Sequence, residues 1–295
     1  MDRYISLFLR IANANPASIC QIALVTFENG TIVEEWTTNI DPEMSFLPLA
    51  IKVHSITPDK VRGFPNFKTL YPEIQKRIES QIVATYNPFD HFRLKSVCEK
   101  YHLRTFEYSH LDASKVIRSV FAKKTDAETI APEISEYMDL PLKKLDSLEV
   151  ARSIGQILQK ASKISGKPVN EWINSPEFKS DPSRPLKGRN FYVRTENRDG
   201  RLFGQTVTFA GDYAIPRHML AALASQRGCN IAPYVDPHCT LLVVGYIDKG
   251  NPSYFDDEIQ VSKAKKLARS KHAIRILTEQ EFFDLLEPAE RDAQP

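Results

Sequence analysis

Apolar and polar positions along the first half of this chain change period several times. Residues 4–11 form a nearly continuous apolar run, the pattern of a strand buried on both faces. Residues 18–27 and 32–40 read as second and third strands, and the Asn29-Gly30 between them is a hairpin signal. Residues 41–64 are irregular, broken by Pro42, Pro48 and Pro58, with Thr57 or Asp59 expected to cap a short helix. Leu70, Ile74 and Ile78 recur at helical spacing within residues 66–80. An apolar run, Ile82-Val83-Ala84-Thr85-Tyr86, then ends in Asn87-Pro88, and a helical pattern follows at once to about His102, placing Asp90 in its first turn. The helix dipole and free backbone N–H groups favour an acid there. A short strand is expected at 105–108, then helices at 112–121, 131–138 and 146–161. Strands in a hairpin followed by strands alternating with helices predict an α/β domain with a mixed sheet, spanning 1–162.

Residues 163–200 change character. Pro168, Pro176, Pro182 and Pro185 stand among Ser, Lys, Arg and Asn, so a Pro/basic linker is expected, with Trp172 and Phe178 available to dock it on a domain. A second domain is expected over 201–295: a strand at 206–211, a helix at 216–227 closed by Gly228, a buried strand at 240–245, a basic helix at 261–270, a strand at 274–277 and a last helix at 279–286. Strands alternating with helices predict a small parallel sheet with helices on its faces.

Composition adds restraint rather than direction. A net charge of +2 is close to neutral, so any nucleic-acid surface has to be a local patch. The 4 cysteines are scattered with no C-x-x-C pair, which suggests neither a zinc site nor a disulfide framework and fits a reducing cytoplasm. No segment reaches membrane-spanning length, and residues 1–13, interrupted by Arg3 and Arg10, lack the form of a signal peptide.

In chain order, Ser18-Ile19-Cys20-Gln21-Ile22-Ala23, the hairpin, Val53-His54-Ser55-Ile56-Thr57-Pro58-Asp59-Lys60-Val61 and Val83 through Asp90 together resemble the DEDDh exonucleases, the proofreading epsilon-subunit type. The resemblance implies a ribonuclease H-like mixed-sheet exonuclease fold. It also implies a reaction that needs two divalent cations held by four carboxylates, with a histidine to activate water. Only one of those five positions is kept. Asp90 matches the third carboxylate, whereas the two first-strand acids align with Phe8 and Arg10, and the last-helix histidine and acid with Leu145 and Val150. Arg10 places a permanent positive charge where the cations would sit. At ~4 Å and an effective dielectric of ~20 a unit charge pair is worth about 4 kcal/mol, and a divalent ion doubles the repulsion. The expectation is a site without metal, Mg²⁺ and Mn²⁺ included, in which Asp90 is neutralised by Arg10. Because the family's histidine lies on the last helix, His54 is expected to cap or pack a surface loop.

The second domain resembles a BRCT domain, from the strand ending at Gly211 through Gly228 and Leu242-Val243-Val244-Gly245 to Ile274-Arg275-Ile276-Leu277. In members that read phosphate, a Ser/Thr precedes that glycine and a Lys opens the second helix. Here Ala210 stands first and Gln260 aligns with the Lys, Lys263 being the next choice, while the basic Arg217 is present. Gly211, Arg217, Lys263, Lys265, Lys266 and Arg269 are the candidate nucleic-acid or phosphate contacts. The sequence therefore reads as a non-catalytic, cytoplasmic binding or scaffold protein of DNA metabolism, a pseudo-exonuclease joined to a BRCT domain. Its expected partners are DNA or RNA ends and a protein met through the BRCT domain, with no membrane and no cofactor. Two alternatives stand beside it: an active metal-dependent 3′-5′ exonuclease with replacement ligands, and a protein–protein adaptor without nucleic-acid contact.

Overall fold

The computed structural model describes residues 2–86, 89–121, 146–175, 197–213, 217–247, 254–270 and 272–286. The chain divides into two compact units, residues 1–181 and 182–295.

In the first unit, β1 (Arg3–Ile11), β2 (Ile19–Glu28) and β3 (Thr31–Asn39) form an antiparallel meander, and β4 (Ile82–Thr85) and β5 (Ser109–Asp112) extend it in parallel. The strand order is β3-β2-β1-β4-β5, a mixed sheet with β1 at its centre. The β2–β3 turn is carried by Asn29 (φ 48°) and Gly30 (φ 85°), the left-handed pair that a two-residue hairpin turn requires. Between the meander and β4 lie α1 (Pro48–His54), α2 (Pro58–Val61) and α3 (Phe67–Ile78). Thr57 accepts from the Lys60 N–H to cap α2, and Asn66 accepts from Thr69 to cap α3. Then α4 (Phe89–Lys100) follows β4, α5 (Ala113–Phe121) follows β5, and α6 (Ser147–Ser165) and α7 (Val169–Ile173) close the unit.

Because side chains alternate along a strand, β1 serves two cores. Tyr4 faces one with Val150, Ile154, Leu158 and Trp172; Ile5, Leu7 and Leu9 face the other with Ile74, Leu94 and Val97. That two-sided burial accounts for the unbroken apolar run of 4–11. Helix α6 is anchored to the sheet by more than apolar contact: the Tyr4 hydroxyl donates to the Gly155 carbonyl at 2.8 Å and the Ser6 hydroxyl to the Ala151 carbonyl at 2.6 Å.

Two boundaries differ from the sequence reading. The short strand expected at 105–108 lies instead at Ser109–Asp112, because that register pairs Val83 with His110 and Ala84 with Leu111, whose side chain is buried. The linker expected from residue 163 begins inside a helix. α6 continues to Ser165, Gly166 ends it in the left-handed conformation, and α7 buries Val169 and Trp172 in the first core. Trp172 does dock, as its composition suggested. The rest of the expected linker up to residue 196, Phe178 with it, and the helix expected at 131–138 lie outside the described residues.

In the second unit, β6 (Thr206–Ala210), β7 (Asn230–Ile231), β8 (Leu241–Val244) and β9 (Arg275–Thr278) are all parallel, in the order β7-β6-β8-β9. Helices α8 (Arg217–Gln226), α9 (Tyr254–Arg269) and α10 (Glu279–Leu286) connect or follow them. The two-residue β7 was too short to leave a period in the sequence. Helix α9 starts two turns earlier than the basic stretch suggested, with Asp256 and Asp257 in its first turn, where the dipole favours acids. No helix among the described residues is long and apolar enough to cross a membrane.

Candidate functional site

At the carboxyl end of β1 the strand face that carries Tyr4 and Ser6 continues through Phe8 and Arg10. Phe8 packs against the core that contains Val150, and the Arg10 guanidinium carbon lies 4.7 Å from the centroid of the Phe8 ring, a cation–π contact. The pairing register with β2 shifts between Arg10, opposite Gln21, and Ile11, opposite Ile19, so an irregularity that leaves Cys20 without a partner on β1 sits next to Arg10 at the end of the strand. The structure thus gathers Phe8, Arg10 and Val150 around one end of the sheet, while Leu145 lies outside the described residues.

Asp90, in the first turn of α4, is buried at 1% exposure. Its Oδ1 lies 2.7 Å from Nη1 of Arg93, itself 8% exposed. The expected neutralising partner was Arg10; the hydrogen-bonded ion pair is with Arg93, which needs no reach across the sheet because i and i+3 share a helix face. Burial pushes the Asp90 carboxyl up to about 6. The charge and hydrogen bond of Arg93, the charge of Arg10 and the backbone N–H of Leu9 restrain that rise. Among the described residues, Asp90 Oδ2 has no hydrogen-bond partner.

His54 stands close to Arg10 and is held by two backbone groups: Nδ1 accepts from the Ile56 N–H at 3.0 Å, which leaves Nε2 to donate to the Ile11 carbonyl at 3.2 Å. Burial first, and the charge of Arg10 second, lower its pKa to about 4. A histidine fixed in this tautomer ties the α1 end to the β1 end. A second polar cluster borders Asp90. His91 Nδ1 lies 2.8 Å from the Tyr108 hydroxyl, the His91 and His110 rings stack at 4.7 Å, and His110 Nε2 lies 2.8 Å from the Thr85 hydroxyl. Burial, then the charges of His91 and Lys115, lower His110 to about 3.

This donor set does not fit a pair of divalent cations. The Asp90 carboxylate is already bonded to a guanidinium, the strand positions beside it are an aromatic ring and an arginine, and Mg²⁺ requires several oxygen ligands. Among the described residues no three of His, Cys, Asp or Glu converge to hold a metal ion. Sequence reasoning missed Arg93, although an acid and an arginine three apart at a helix start were visible. It also missed the histidine pair, which only the β4–β5 register brings together.

In the second unit, Gly211 follows β6 with φ 90°, and a side chain there would meet the Tyr246 carbonyl oxygen at 2.8 Å. Arg217 Nη2 donates to the Gly211 carbonyl at 2.9 Å and pairs with Asp257 Oδ1 at 3.3 Å, so Gly211 and Arg217 do come together, with an acid added. Asp257 is buried, and Gln260, also buried, turns inward to accept from the Val235 N–H at 2.7 Å. With Ala210 fully buried, neither a hydroxyl nor an ammonium faces this corner from the positions that the resemblance assigns to phosphate reading. Lys263, Lys265, Lys266 and Arg269 are all exposed along α9.

The first unit has a ribonuclease H-like mixed-sheet fold, the fold of known exonucleases. Residues 11–147 match the sequence model of the family described as Exonuclease. That span contains Asp90 and Leu145 and leaves out Phe8, Arg10 and Val150. Among solved structures, the zinc-bound Escherichia coli ExoI–ssDNA complex superposes with TM-score 0.50 at 13% identity, over 59% of this chain and 43% of that one. Exonuclease X in complex with 5′-overhanging duplex DNA gives 0.42 at 14% identity over 58% and 98%, and the cell-death related nuclease CRN-4 gives 0.45 at 17% over 56% and 64%. Against curated proteins, no match is found.

Proposed function

We propose that this protein is a non-catalytic binding or scaffold protein of nucleic-acid metabolism, built from a pseudo-exonuclease unit and a BRCT-like unit. The observation that carries the reading is the state of Asp90: the one acid retained from the family's set is buried and bonded to Arg93, beside Arg10 and Phe8. The partner class of the first unit is a single-stranded nucleic-acid end, in keeping with the ssDNA held by the E. coli ExoI that shares its fold. For the second unit, the all-parallel four-stranded sheet and the close-packed Gly211 support a BRCT-like module, with its phosphate corner closed by Ala210, Gln260 and the Arg217–Asp257 pair.

The test is direct. Purified protein is incubated with end-labelled single-stranded DNA and RNA in Mg²⁺ and in Mn²⁺. The expected result is intact strands together with salt-sensitive retention of the label. Degradation that disappears on Asp90→Ala substitution would overturn the reading in favour of a working nuclease.

A further inference from the structure

The outward side of α9 carries, next to the basic candidate contacts, two large apolar side chains that neither candidate site uses. Asp257, Gln260 and Ala264, three and four residues apart, are buried and fix which side of the helix meets its own sheet. Phe255 and Ile259, one turn apart, emerge on the other side at 77% and 48% exposure. Lys263 and Lys266, four and seven residues beyond Ile259, continue that stripe, and Arg269 extends it. At 1.5 Å per residue the stripe from Phe255 to Lys266 is about 16 Å long. The cations alone have an ordinary explanation, because basic residues in a last turn complement the helix dipole. The two large apolar side chains one turn before them do not.

We propose that this face docks an acidic amphipathic peptide segment of a partner protein, its apolar side chains covering Phe255 and Ile259 and its carboxylates meeting Lys263, Lys266 and Arg269. The proposal rests on the reading of the second unit as a binding module and is independent of whether the first unit cleaves anything. Charge selects this occupant. The exposed acids Asp256 and Glu258 flank Phe255, so a nucleic-acid strand stacked on that ring would bring its phosphates against two carboxylates. Ile259 offers such a strand no ring to stack on. A peptide with its apolar residues at one end and its acids at the other keeps those acids a turn or more away from Asp256 and Glu258. It also supplies the apolar anchor and charged rim by which amphipathic segments are held. Asp257, the acid nearest the apolar pair on the inner side, is already matched by Arg217.

The full chain is titrated against three labelled probes by fluorescence anisotropy. One is a short peptide with Leu and Phe at helical spacing followed by a run of Asp and Glu; the others are its scrambled isomer and an oligo(dT) strand. The patterned peptide is expected to bind more tightly than its isomer. Phe255→Ser and Lys266→Glu should each weaken it by about tenfold, the scale of an anchor residue's loss. Both residues are exposed, and circular dichroism verifies that the variants fold. Failure of the patterned peptide to bind, equal binding of the isomer, or undiminished affinity in Phe255→Ser overturns the proposal. So does oligo(dT) binding that exceeds the peptide's and is lost in Lys266→Glu, which would assign the face to nucleic acid.

Discussion

Arg93 and Asp90 form a buried ion pair within one turn of α4, Nη1 to Oδ1 at 2.7 Å, with the side chains 10% and 1% exposed. The pair gives an acid at this position a reason to persist that involves no metal. A carboxylate desolvated this fully is tolerated when a charge-assisted hydrogen bond offsets part of the cost, and its raised pKa records how much cost remains.

Removing one partner should therefore be worse than removing both. Arg93→Met leaves the Asp90 charge buried and is expected to cost ~3–5 kcal/mol, whereas Arg93→Met combined with Asp90→Leu should recover much of that loss. Both tryptophans of the chain, Trp36 and Trp172, lie in the first unit, so intrinsic fluorescence during urea unfolding reports that unit alone. A double variant less stable than the single one would refute the argument.

Acid should weaken the first unit. His54 and His110 have pKa values lowered by burial to about 4 and about 3, below the ordinary 6.5. Their stabilising contribution is complete above pH 6.5 and is lost as pH falls through that window, because the unfolded chain takes up protons that the folded one refuses. Asp90, raised from 3.8 to about 6, acts the other way: its folded form is relieved by protonation as pH falls from 6 towards 3.8. His91, which burial also lowers, joins them, so three histidines oppose one aspartate; the urea midpoint should fall between pH 7 and pH 4, and His110→Asn should flatten the slope. A midpoint that rises towards pH 4 would show the histidines to be solvated.

The sheet was legible because burial on both faces writes itself as an unbroken apolar run, as in β1, and because Asn29-Gly30 names its own turn. The helices that cover the sheet were legible by period. Less visible were features that depend on register or on a neighbour's charge. The stacking of His91 on His110 follows from the β4–β5 pairing. Asp90 could be placed at a helix start from the sequence, but its choice between Arg10 and Arg93 depended on which guanidinium the backbone brings within hydrogen-bonding distance. Likewise the basic helix expected at 261–270 begins already at Tyr254, so Asp256 and Asp257 form its first turn and one of them is bound by Arg217.

The end of the first unit makes a sharper boundary than composition allowed. Val169 and Trp172 are buried in the core that holds Val150 and Leu158, so a fragment ending at residue 162 exposes that core. Trp172→Ala in the full chain is expected to cost ~3–5 kcal/mol, the usual range for emptying a large aromatic site. Because Trp36 remains as a probe, the loss is measurable by urea unfolding. A change below about 1 kcal/mol would mean that α7 is only loosely applied.

Gly155 tests how closely α6 lies on the sheet. In most helices replacing a glycine by alanine gains ~1 kcal/mol of helix propensity. Here an added Cβ would overlap the Phe27 ring, which is fully buried and stacked on Tyr4 at a centroid distance of 5.1 Å. Tyr4 in turn donates to the Gly155 carbonyl, so the ring pair cannot retreat without disturbing the bond that anchors the helix. Gly155→Ala should then destabilise by ~1–3 kcal/mol, the range for overpacking a filled core, despite the gain in propensity. Phe27→Leu in the same chain removes the overlapping edge and should return part of the loss, so the two substitutions together cost less than the sum of each alone. Strict additivity in urea unfolding would place the strain somewhere other than this contact.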